Sequence, residues 1–90
     1  MGGAIGMTQV GAIYQVTDPE EPDVTIVRYL DQWHVCRRDQ ANPKVKEIVA
    51  DTNDHLLAQM VAHELQRLLS AGGVREHVVS RPPKPRRKRR

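Results

Sequence analysis

Apolar positions along the chain recur at period two in its first half and at a helical period near residues 55–70. Val10, Ala12, Tyr14 and Val16 alternate with other residues, which predicts a strand over 9–16. Residues 17–23 break it: Pro19 and Pro22 withdraw ladder donors, and Asp18, Glu20, Glu21 and Asp23 favour water. Residues 24–30 are dense in β-branched and aromatic side chains and predict a second strand. Asp31-Gln32 reads as a hairpin tip, 33–38 as the returning strand, 39–43 as a loop and 44–50 as a further strand.

With the tip at Asp31-Gln32, Tyr29 opposes His34 and Ile26 opposes Arg37, and opposed residues share a side. One side then carries Val24, Ile26, Leu30, Trp33 and Val35, with Arg28 and Arg37 at its rim. It is the more apolar and is expected to be the core face. The other side carries Thr25, Val27, Tyr29, His34, Cys36 and Arg38 and is expected to be open to solvent.

Asn53 or Thr52 is placed to cap a helix, Asp54 falls in its first turn, and Gly72-Gly73 ends it, giving a helix over about 53–71. At about 100° per residue, Leu57, Val61, Leu65 and Leu68 form one stripe, expected to face the sheet. Leu56 and Met60 lie on its flank and are the candidate partner interface, with a homodimer expected. Glu64 falls inside the apolar sector, with Arg67 in reach three residues on. Residues 74–80 predict a short terminal strand. The fold expected is α+β, a three- or four-stranded antiparallel sheet packed against one C-terminal helix. The chain divides into a leader at 1–8, a domain at 9–80 and a disordered Arg/Pro-rich tail at 81–90.

Charge changes this picture at one end. The formal net charge of the 90-residue chain is +3, from fourteen basic and eleven acidic residues. Seven of the basic residues (Arg81, Lys84, Arg86, Arg87, Lys88, Arg89 and Arg90) fall in the last ten, so the rest of the chain carries seven against eleven, a net of −4. Such a cation run gains nothing from an ordinary core and suits a dense anion. Nucleic acid, DNA or RNA, is the expected partner of these seven residues, with Arg38, His34 and Tyr29 as a weaker second set. The other reading is a protein–protein adaptor, inhibitor or assembly factor, phage-encoded or from a mobile element, whose acidic body and apolar helix face meet an acidic or apolar protein.

The remaining chemistry is negative. Lone Cys36 precludes an internal disulfide, and no basic-then-apolar leader is present, so a cytoplasmic setting is expected, or a nuclear one in a eukaryotic host. No apolar run approaches the ~20 residues of a membrane span. His63-Glu64 begins a zinc-protease pattern, but Arg67 stands where the second histidine belongs. His34 and Cys36 are two ligands and not a site. Neither a phosphate loop nor a paired-acid pattern is found, so no metal, no cofactor and no catalysis are expected.

Overall fold

The computed structural model of the chain describes residues 10–69 and 72–85. Among these residues five strands and one helix form, in the order β1 (Ile13–Gln15), β2 (Val24–Tyr29), β3 (Gln32–Arg38), β4 (Val45–Thr52), α1 (His55–Leu69) and β5 (Val74–Val78). The strands make one sheet, β1-β4-β3-β2-β5, antiparallel except that β5 runs parallel to β2. The α+β class is therefore as expected, but the sheet has five strands and is mixed. β4 and β5 point the same way, and parallel strands need a long crossover, which α1 provides. The period-two pattern of a strand carries no information about its direction.

The hairpin turns at Leu30-Asp31, so Tyr29 pairs with Gln32, Val27 with His34 and Ile26 with Val35. The shift from the expected register leaves each residue on its expected side. It sets Ile26 against Val35, apolar on apolar, in place of Arg37. In return Leu30 adopts a φ of 55°, a left-handed conformation costing ~1–2 kcal/mol for a residue with a Cβ. Between β3 and β4 the register slips at Val35/Cys36, where Val49 is the extra residue. That bulge lets Val49 and Ala50 both pack towards the helix.

Beyond β5 the chain joins the two edges of the sheet. Val79 N donates to Arg28 O at 2.9 Å, and Ile13 and Lys84 then exchange two backbone hydrogen bonds of 2.7 and 2.9 Å on the far edge. Residues 80–84 thus form a strap from β5 to β1, and the sheet curls beneath it. A disordered arm was expected from residue 81; within it Lys84 is paired with Ile13 of β1, and residues 86–90 lie outside the described residues.

Both faces of the curled sheet are covered, which overturns the expected open face. The inner face holds Ala12, Tyr14, Val27, Cys36 and Ile48, with Val79 packed on it. The outer face packs Val24, Ile26 and Val35 against Ala58 and Ala62 of α1. The helix is capped by Asp54, one residue after Asn53 and two after Thr52, the two expected caps. Asp54 Oδ1 accepts from the N–H groups of Leu56 and Leu57, and Thr52 Oγ1 accepts from that of Asp54. Of the predicted core stripe, Val61 and Leu65 reach the sheet cluster, but Leu57 and Leu68 remain 45% and 72% exposed. Two alanines four residues apart let the helix backbone come close to a β-branched sheet surface, and that contact sets the rotation of α1.

Candidate nucleic-acid interface

The basic residues of the tail begin on the strap. Arg81 and Lys84 are exposed there, and neither forms an ion pair with any described residue. Arg86, Arg87, Lys88, Arg89 and Arg90 lie outside the described residues. Between the strap and β1 opens a cleft of about 460 Å³, lined by Ile13, Tyr14, Thr17, Val79, Arg81 and Lys84 among others. Its walls are mainly apolar, and both strap cations border it.

The cations of the body are arranged differently. Arg37 pairs with Glu47, Arg38 with Asp23, Lys46 with Glu21, Arg67 with Glu64 and Arg75 with Asp18. Five of the seven basic residues before position 81 thus already have a carboxylate partner, so unneutralised positive charge begins to accumulate at the strap.

The second predicted set does not come together as a surface. His34 is buried at 1% exposure, and Tyr29 is half-buried near the same end of the inner face. Arg38 is a structural clamp, its guanidinium donating to Asp23 Oδ1 (3.0 Å), Pro43 O (3.0 Å) and Glu21 O (2.6 Å). It ties the loop after β1 to the loop before β4. These three residues were assigned to an open sheet face, and curling removes that face.

Inside the curl sits a polar group that periodicity did not reveal. Lys46 Nζ lies 2.5 Å from Glu21 Oε2, a charge contact in which Oε2 is not aligned as a hydrogen-bond acceptor; the two side chains are 2% and 1% exposed. Lys46 also donates to His77 Nε2 at 3.4 Å. Nearby, the Tyr14 hydroxyl and His34 Nδ1 share a hydrogen bond of 2.7 Å, while His34 Nε2 and Thr25 Oγ1 have no hydrogen-bond partner among the described residues. Burial lowers the His34 pKa to about 4, holding the ring neutral, and raises the Tyr14 hydroxyl beyond its ordinary range. It also pushes the Cys36 thiol up to about 12, so this cysteine is no thiolate nucleophile at neutral pH. The available signal was the shared parity of Lys46 and Ile48, which puts a lysine on a buried side if that side is covered.

On the outer face Arg28 lies over the Trp33 ring, Trp33 stacks on His55 at 4.0 Å, and His55 Nε2 meets the Glu76 carboxylate at 2.9 Å. Leu56 and Met60, the predicted interface residues, are exposed by 65% and 60%. Among the described residues no three His, Cys, Asp or Glu side chains gather as metal ligands, and no helix is long and apolar enough to cross a membrane. No protein-family model, curated protein or solved structure matches the chain.

Proposed function

We propose that this chain is a small non-enzymatic accessory protein that associates with nucleic acid through its basic C-terminal arm, the folded domain serving to place that arm. The observation that carries the reading is the partition of charge. Most cations of the body are matched to local carboxylates, whereas seven cations without an acid among them follow residue 80. Phosphates neutralised by such a run release counterions and bind with little dependence on sequence. Because Lys84 is paired with Ile13, the chain is held at the sheet edge just before the last five cations, and any five extended residues span about 17 Å. Anchoring limits the entropy lost when the arm settles on a backbone.

The test replaces Arg86, Arg87, Lys88, Arg89 and Arg90 by glutamine, which leaves the strap and its pairing with β1 in place. Fluorescence anisotropy with duplex DNA and with RNA across a salt series should give a log–log slope near −6 for the parent if all seven cations engage, and about −2 for the variant. Equal binding by both chains at low salt, or binding by neither, would refute the reading.

A further inference from the structure

Helix α1 buries its smallest apolar residues and exposes its largest. Ala58 and Ala62 are fully buried against the sheet, while Leu56, Leu57, Met60 and Leu68 are 65%, 45%, 60% and 72% exposed. A helix whose partners were all within its own domain would do the reverse. At about 100° per residue the four exposed side chains fall within an arc of roughly 120° on the side away from the sheet. Glu64 and Arg67 lie in the same arc, joined by hydrogen bonds of 2.7 and 2.8 Å, with side chains 57% and 73% exposed. The face is therefore apolar, carries one acid and one base, and has no net charge.

We propose that this face is covered by the same face of a second copy, the two helices running antiparallel about a two-fold axis near Glu64. Charge complementarity selects that occupant. An antiparallel pairing brings each Glu64 within reach of the partner's Arg67, so one internal pair per chain becomes two symmetric cross-pairs and no charge is left unmatched. A surface of a single sign would leave one member of the pair opposed by a like charge or buried alone. Met60 meets the partner's Leu68 in the same alignment, an unbranched side chain that adapts to the packing. Each dimer then carries two basic arms, but the interface does not depend on what the arms bind.

Sedimentation velocity and light scattering on the full chain test the proposal. At ~100 µM, well above a micromolar Kd, the expected mass is about 20 kDa, twice the 10.2 kDa of the chain. The double substitution Leu56→Ser with Met60→Ser is expected to give a monomer with an unchanged circular dichroism spectrum, because both residues are exposed in the single chain. Glu64→Arg alone and Arg67→Glu alone each place like charges across the axis and are expected to weaken self-association about tenfold or more. Mixing those two variants in equal amounts should restore the dimer, as a mixed pair. A monomeric parent chain would overturn the proposal, including one that holds a different protein on this face. So would a dimer indifferent to these substitutions, or charge variants that fail to recover on mixing while each remains folded by circular dichroism.

Discussion

On the inner face of the sheet Lys46, Glu21 and His34 are almost wholly out of water, whereas on the outer face of α1 Leu56, Met60 and Leu68 stand in it. The two regions reverse the usual assignment of polar and apolar groups, for different reasons. Inside, closure of the sheet by the strap buries the central residues of one parity, polar Thr25, His34 and Lys46 among them. The polar members are tolerated because Lys46 meets Glu21 and His77, and Tyr14 meets His34. Outside, the sheet takes the alanine side of the helix with Val61 and Leu65 beside it, and Leu56, Met60 and Leu68 stay mostly exposed. Burial therefore follows the geometry of closure, and hydrophobicity decides only how well each position suits it.

The contrast is broken most severely by Lys46→Ala. It leaves Glu21 as a buried carboxylate without its cation, and we expect a loss of ~3–5 kcal/mol in urea unfolding. Replacing Lys46 and Glu21 together by Met and Leu should recover most of that loss. A single-variant cost below ~1 kcal/mol would mean that the interior is wet.

Next in size is the acid limb of stability. His34 titrates near 4 in the folded chain and near 6.5 unfolded, so between those values the unfolded state binds more protons. The contribution is complete above pH 6.5, falls as pH drops towards 4, and totals on the order of 3 kcal/mol. His77, lowered by burial and then by Lys46, acts in the same direction. His34→Gln should flatten the curve of unfolding free energy between pH 6.5 and 4, while a curve as steep as the parent's would place the titration elsewhere.

Smaller effects sharpen the helix side. Ala58→Leu overfills the seam between α1 and the sheet and should cost ~1–3 kcal/mol. Leu68→Ser, measured at a dilution where the chain is monomeric, should stay within ~0.5 kcal/mol. A larger cost for Leu68→Ser than for Ala58→Leu would reverse the assignment of faces. Asp54→Ala removes the side-chain acceptor for two amide N–H groups and should cost ~1 kcal/mol in thermal unfolding.

Much of the secondary structure was legible because its signals are local. Strands at β2, β3 and β4 announce themselves by β-branched density and alternation, and α1 by its period and the polar residues ahead of it. The parity of each hairpin residue was legible too, since a two-residue change of register preserves it. The helix rotation was not legible from the largest apolar stripe, because the sheet selects the face that approaches most closely. Among the candidate site residues, Arg81 and Lys84 lie exposed on the strap, whereas His34 and Arg38 were assigned to a surface that closure turned into interior and clamp.

The sequence by itself determined that the chain is α+β, that its first half is strand and its later half carries the helix, and that positive charge concentrates after residue 80. Each follows from periodicity, turn chemistry or charge counted over neighbouring residues. The parallel placement of β5 beside β2, the pairing of Lys84 with Ile13 and the burial of Glu21 against Lys46 were decided only in the tertiary structure. These join residues 25–71 positions apart, and what fixes them is which edges and faces meet when a curled sheet closes, a condition no local pattern contains.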